Sequence, residues 1–325
     1  MGIVTIMDAH TSALERPAVK LAVFACTLGV ALGGGALIGA AIGPEPNESP
    51  THEHDATETS TVDQVVGHEA ALPGGLAVSR DGYALALTNS TFASGDEIDL
   101  GFQIVGPNGR PVTDFDVAHD KELHLIVVSR DLVEYLHVHP ERAADGTWSI
   151  TLPPRPAGSY RVFADFVPTG ASSLTLGADI AVAGEFSPAT LPDVAESVDV
   201  DGYAVTLDGT LVAGSASTVT LSVSDGDGPV DDLEPYLGAL GHLVAIRTGD
   251  LAYLHVHPAE EAEEPGGPDI EFTVEVPTAG TYRLFLDFSH AGEVRTAAFT
   301  VQAERGADAG QVVPDTKAGS GHGDH

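Results

Sequence analysis

The sequence predicts an all-β chain of two tandem sandwich domains behind a single N-terminal transmembrane helix, and three observations carry that expectation. Short runs that alternate or are solidly apolar, among them Tyr83–Leu87, Ile98–Val105, Leu123–Val128, Trp148–Leu152, Tyr160–Val167 and Leu174–Val182, are bounded by Gly, Pro, Asp and Asn. Runs of that length and spacing, with no sustained helical period, read as the strands of a sandwich. The hexapeptide Tyr-Leu-His-Val-His-Pro occurs at 135–140 and again at 253–258, which marks a duplication. Finally, Leu21 to Gly43 carries no charged residue and is long enough to cross a bilayer as one helix.

Taken in order, residues 1–20 form a short cytoplasmic segment and 21–43 the transmembrane signal anchor. Arg16 and Lys20 precede the apolar run and acidic residues follow it, so the positive-inside rule leaves the N-terminus in the cytoplasm. A cleaved signal peptide, with small residues near Ala40 and Ala41, is the alternative, but the apolar regions of such peptides run only about 7–15 residues. Residues 44–73, rich in Pro, Glu, Thr and Ser, read as a disordered acidic linker. Two units follow, 74–184 and 196–303, joined by 185–195 with its Pro188 and Pro192, and 304–325 reads as a disordered His-containing tail.

Landmarks recur in the same order in both units. Asp81-Gly82-Tyr83 answers to Asp201-Gly202-Tyr203, Ala157-Gly158-Ser159-Tyr160 to Ala279-Gly280-Thr281-Tyr282, and Phe163-Ala164-Asp165-Phe166 to Phe285-Leu286-Asp287-Phe288. An Ala-Gly-Ser/Thr-Tyr sequence opening a strand resembles the tyrosine corner of immunoglobulin-like sandwiches, whose phenol ties back to a nearby turn. The expected fold is therefore two tandem Ig-like β-sandwiches.

Composition narrows the function. The net charge of −34 over 325 residues, all of the excess lying after residue 43, argues against a nucleic acid or anionic membrane surface as partner. The single cysteine, Cys26, sits inside the apolar run, so no disulfide and no thiolate ligand is available beyond it. Anchor and charge together place the protein at the cell membrane, single-pass, with its C-terminal domains extracytoplasmic.

Histidines carry the chemistry. Each hexapeptide has one more histidine thirteen positions before its first: His124 before His137, and His242 before His255. Strand alternation puts His137 and His139 on one face, with side chains about 6–7 Å apart, and His255 and His257 likewise. A hairpin turning at Arg130-Asp131 would set His124 directly opposite His137, and one around Thr248-Gly249 would set His242 opposite His255. The Asp-Leu pairs Asp131-Leu132 and Asp250-Leu251 shift by one place between the repeats while the histidine spacing survives. Asp165 and Asp287 interrupt otherwise apolar strands, where an unpaired carboxylate is costly. They complete a His₃Asp set, orient an imidazole from behind, or pair with Arg161 and Arg283. The expected metal residues are thus His124, His137, His139 and Asp165 in the first repeat and His242, His255, His257 and Asp287 in the second. His119 and His290 lack counterparts and define no shared site.

Three imidazoles suit borderline ions. Met1, Met7 and Cys26, the only sulfur side chains, all precede residue 43, so cuprous specialisation is disfavoured and Cu(II) or Zn(II) is expected, copper first by the Irving–Williams order. His52, His54, His68, His322 and His325 on the linker and tail could gather ions weakly.

Around Pro235-Tyr-Leu-Gly-Ala-Leu-Gly-His242-Leu and Asp250-Leu-Ala-Tyr-Leu-His-Val-His257-Pro, and more loosely around His124 to Pro140, the chain resembles a bacterial family of secreted or membrane-anchored proteins, common in actinobacteria. That family carries a His-Leu…Asp-Leu…His-x-His-Pro signature and is associated with heavy-metal handling and with YtkA-like, Ig-like domains. The resemblance implies metal binding. The expected function is extracytoplasmic sequestration or delivery of copper or zinc through one His-based site per repeat, with the ion and a membrane metal transporter or other envelope protein as partners. The alternative is a non-metal Ig-like adhesion or interaction module of the cell envelope. An enzyme is not expected, because no nucleophile–base set is visible and a catalytic metal needs an open position and a substrate path.

Overall fold

The computed structural model of the chain describes residues 73–306. The cytoplasmic segment 1–20, the transmembrane segment 21–43, the linker before residue 73 and the tail beyond residue 306 lie outside the described residues. Among the described residues no α-helix occurs, and no helix is long and apolar enough to cross a membrane.

The first repeat contributes β1 (Ser79–Arg80), β2 (Tyr83–Leu87), β3 (Thr91–Phe92), β4 (Ile98–Val105), β5 (Phe115–Asp116), β6 (Leu123–Ser129), β7 (Tyr135–Val138), β8 (Glu141–Arg142), β9 (Thr147–Leu152), β10 (Gly158–Pro168) and β11 (Leu174–Val182). The second contributes β12 (Ser197–Val200), β13 (Tyr203–Asp208), β14 (Ala216–Asp225), β15 (Gly228–Pro229), β16 (Gly241–Arg247), β17 (Tyr253–His255), β18 (His257–Pro258), β19 (Asp269–Glu275), β20 (Gly280–His290) and β21 (Glu293–Ala303). Each repeat is a two-sheet sandwich. In the first, β1-β2-β4-β9-β8 faces β3-β11-β10-β6-β7; in the second, β12-β13-β14-β19-β18 faces β17-β16-β20-β21.

Turn chemistry explains the local chain reversals. Asp81 and Gly82, at φ 52° and 83°, form the two-residue turn between β1 and β2, and Asp201 and Gly202, at 48° and 89°, repeat it. Positive φ at both central positions is what a twisted hairpin demands, and Asp-Gly meets it cheaply. The tyrosine corner is present twice: the Tyr160 hydroxyl donates to Pro156 O at 2.8 Å, and that of Tyr282 to Thr278 O at 2.8 Å. Both repeats are therefore Ig-like β-sandwiches in tandem.

Each sandwich has its own apolar core, built around Phe102, Trp148 and Val162 in the first and Phe272, Phe288 and Phe299 in the second. A third apolar cluster lies between the two. Ile126, Val128, Leu132 and Phe163 of the first repeat pack there with Val244, Ile246, Leu251, Tyr253 and Phe285 of the second. This explains why β6 is buried along its whole length: Leu125 and Val127 fill their own sandwich while Ile126 and Val128 meet the other one.

The contact is reciprocal. Tyr135 stacks on Phe285 with ring centroids 4.0 Å apart, and Tyr253 lies against Phe163 at 5.3 Å. The duplicated leucines of the Asp-Leu pairs, Leu132 and Leu251, both take left-handed backbone (φ 63° and 61°), and both are buried in this cluster. Such a conformation is uncommon for leucine and costs roughly 1–3 kcal/mol, so packing holds it in place. Arg283 donates across to Leu132 O at 3.3 Å, while Arg161 donates to Gly75 O and Leu76 O instead.

The expected hairpin register needs correction. Ile126, not His124, pairs with His137, and Val244, not His242, pairs with His255. The loops run from Arg130 to Glu134 and from Thr248 to Ala252 rather than through two-residue turns, because the buried leucine of each Asp-Leu pair is part of the connection. The slip is by two residues in each repeat, so the residues of β7 and β17 keep their expected faces. His257, expected beside His255 on one strand, instead opens β18 and pairs with Thr273 of the facing sheet.

Candidate metal centre

Strand parity assigns the histidines to the inter-sandwich face. His124 precedes Ile126 and Val128 on that face of β6, His137 sits opposite Ile126, and His139 follows two residues on. In a lone sandwich this face would be wet. Here His124 and His242 are each only 7% exposed, because the other repeat covers them.

Three ring nitrogens of the first repeat converge. His124 Nδ1 lies 3.0 Å from His137 Nε2 and 3.2 Å from His139 Nε2, and all three ligand atoms fall within 4.8 Å of one another. Nitrogens held at about 2.0–2.1 Å by a tetrahedral ion sit about 3.3–3.4 Å apart, close to these spacings.

Hydrogen bonds at the far side of two rings select the tautomers. A backbone carbonyl can only accept, so His124 donates from Nε2 to Ala118 O at 3.0 Å, and its neutral form presents a lone pair at Nδ1. His137 donates from Nδ1 to the Asp287 carboxylate at 2.9 Å, so that its neutral form would present its lone pair at Nε2. With both rings neutral, two lone pairs thus face each other at hydrogen-bond distance, an arrangement that needs a proton or a cation between them.

Burial pushes the His124 imidazole down to about 4, His137 adding to the effect and the Ala118 bond opposing it. Burial, with His137 and His124 next, pushes His139 down to about 3. His242 falls to about 4 through burial, then His137 and His119. Near neutral pH these rings carry no charge and keep a basic nitrogen free.

Asp287 does not ligate beside its strand neighbour His242; it crosses to the other repeat and orients His137, with Thr296 on its second oxygen. Asp165, the strand neighbour of His124, accepts from Thr175 Oγ1 at 2.9 Å and from Tyr253 of the second repeat at 3.3 Å. Neither aspartate belongs to the converging set; Arg161 bonds Asp179, Gly75 O and Leu76 O, and Arg283 bonds Leu132 O, Ala298 O and Thr300. Tyr135 is the counterpart of Tyr253. Burial first, then Asp287 and Asp165 respectively, hold both phenols well above their usual pKa, although the Tyr135 hydroxyl makes no hydrogen bond among the described residues.

The second repeat enters the same cluster. The His242 ring lies 6.4 Å from that of His124 and 6.2 Å from that of His137, and it donates from Nε2 to Tyr236 O at 3.0 Å, six residues upstream as Ala118 is of His124. His255 takes in β17 the register position that His137 takes in β7. His119, expected to decorate a site without defining the shared one, has its ring 5.2 Å from that of His242 and 6.1 Å from that of His124. The overlooked signal was a tight turn: Ala118 and Lys121 exchange backbone hydrogen bonds around His119 and Asp120, at φ 48° and 61°. His290 is elsewhere, against Tyr203 and Asp232.

A family described as a domain of unknown function, DUF8832, matches residues 77–183 and 197–305, which is each sandwich in turn. The chain belongs to that family. No curated protein matches it. Among solved structures it is similar to the Lin-41 filamin domain (15% identity, 31% of this chain and 93% of that one, TM-score 0.23). It is also similar to the Escherichia coli adhesin FdeC (14% identity, 70% of this chain and 65% of that one, TM-score 0.23) and to the Ig1-2 module of the Drosophila receptor tyrosine phosphatase DLAR (8% identity, 69% and 98%, TM-score 0.20). Likenesses this faint carry no argument about function.

Proposed function

We propose that the protein is a membrane-anchored, extracytoplasmic metal-binding protein that sequesters or delivers Cu(II) or Zn(II). One observation carries this reading: imidazoles oriented from behind, by Ala118 O and by Asp287, bring His124 Nδ1 and His137 Nε2 within 3.0 Å of each other. A carboxylate behind a ligating histidine raises its basicity and fixes its ring, the arrangement usual around protein-bound metals. Absence of sulfur ligands after residue 43 supports a divalent ion over a cuprous one. The N-terminal apolar run supports the anchor, and a metal transporter or other envelope protein is the partner such a reservoir would serve.

Isothermal titration of the chelator-stripped full-length chain with Cu(II) or Zn(II) tests this. Tight uptake is expected, and it should vanish when His137 and His255 are both changed to Ala. Retained tight stoichiometry in that double variant overturns the assignment.

A second reading has its own support. If a proton rather than an ion lies between His124 and His137, the His137–Asp287 bond is a clasp that locks the sandwiches together for a non-metal interaction function. Unchanged melting with and without ions, together with capture of a defined envelope partner, would favour it.

A further inference from the structure

The duplication invites two separate ion sites, one per sandwich, but the placement of the repeats brings them to one spot. We propose that the two histidine sets form a single paired-ion centre across the pseudo-two-fold axis between the sandwiches, with His119 as the histidine shared by both halves. The inference rests on the metal-binding reading above and deepens it.

The axis is visible in reciprocal contacts. Tyr135 meets Phe285 and Tyr253 meets Phe163, and the aspartate of each repeat accepts a hydrogen bond from the other repeat, Asp287 from His137 and Asp165 from Tyr253. The first histidine of each set is fixed in the same way, by donation to a carbonyl six residues earlier. That carbonyl belongs in both repeats to a tight turn with two left-handed residues: His119 and Asp120 in the first, Leu237 and Gly238 in the second. A contact that maps a patch onto its own copy places equivalent residues near the axis close to each other. His124 and His242 are such a pair, 6.4 Å apart. His255 holds on β17 the register position that His137 holds on β7, while His257 opens β18 and pairs with Thr273 of the facing sheet.

His119 fits this geometry. Its counterpart in the second repeat is Leu237, so the duplication did not keep a copy. A residue whose ring adjoins both His124 and His242, at 6.1 and 5.2 Å, can support both sets alone. The two turns come close as well: a Cβ on Gly238 would lie 3.9 Å from Asp120 Oδ2.

Electron paramagnetic resonance during Cu(II) titration of the full-length chain tests the pairing, with His52, His54, His68, His322 and His325 changed to Ala to silence linker and tail. The first equivalent should give an isolated-ion spectrum. The second should broaden that signal instead of doubling it and should add a half-field line. His242→Asn should remove the half-field line while one ion still binds, and His119→Ala should weaken the second ion by about tenfold, a loss typical of a supporting residue. Circular dichroism of each variant checks that it is folded. Two equivalents whose signals simply add overturn the paired centre, as does saturation at one ion, and both leave the metal-binding reading standing. No uptake at all overturns both.

Discussion

His137 of the first sandwich donates its Nδ1 hydrogen to Asp287 of the second, at 2.9 Å and with both side chains at most 5% exposed. The bond makes a ring nitrogen of one repeat depend on a carboxylate of the other. Asp287→Ala is therefore expected to lower affinity for Cu(II) or Zn(II) by about 10–100-fold although Asp287 is not itself a ligand. Asp287→Asn, which keeps an acceptor, should stay within a few-fold of the parent. Competition titration against a chelator of known affinity measures both, and equal losses in the two variants would point to direct ligation by the carboxylate.

Phe285 is a core residue of the junction, not of its own sandwich, and it carries the Tyr135 stack at 4.0 Å. Phe285→Ala should cost about 3–5 kcal/mol, as large buried truncations do. Because the loss falls on the contact between repeats, calorimetry should show a single transition splitting into two. A variant that lowers the melting temperature yet keeps one transition would place the cost inside the second sandwich.

The corner tyrosines separate stability from ion binding. Tyr160→Phe and Tyr282→Phe each remove one hydroxyl bond to a backbone carbonyl, at Pro156 and Thr278. Each should cost about 1 kcal/mol in urea unfolding, with ion stoichiometry unchanged.

Acid should weaken the fold through the histidines. In the unfolded chain their pKa is about 6.5, whereas burial depresses His124 and His242 to about 4 and His139 to about 3. Between those limits the unfolded chain binds protons that the folded chain refuses, so stability rises with pH there. It is fully present above about 6.5, falls as pH drops towards 4, and levels off below the folded values. Each ring contributes up to about 1.4 kcal/mol per pH unit, less for the half-exposed His139. Urea midpoints of the ion-free protein at pH 7, 5.5 and 4.5 read this directly. Stability that grows on acidification would instead reveal a charged imidazolium network, the clasp of the second reading. Ion uptake at pH 7 should release few protons, which titrations in buffers of different ionisation enthalpy would measure.

Much of the fold was legible in the chain because the signals are local. Asp-Gly turns, corner tyrosines, strand alternation and the repeated landmarks each depend on a few neighbouring residues. Face assignment was legible too: parity alone puts His137 and His139 on one side, and a two-residue slip in register leaves that unchanged. The exact pairing was not, since Leu132 and Leu251 lengthen the loops only because a second sandwich is present to bury them.

What the sequence determined by itself is the pair of sandwiches and the common face of His124, His137 and His139, consequences of period-two geometry and short-range turn preferences. Only the tertiary structure decided that His124 and His242 come within 6.4 Å of each other, that Asp287 serves the opposite repeat, and that the unduplicated His119 adjoins both histidines. Those facts depend on how one apolar outer sheet docks on another. Such docking is driven by the burial of Ile126, Phe163, Val244, Tyr253 and Phe285, side chains that read in the chain as ordinary core.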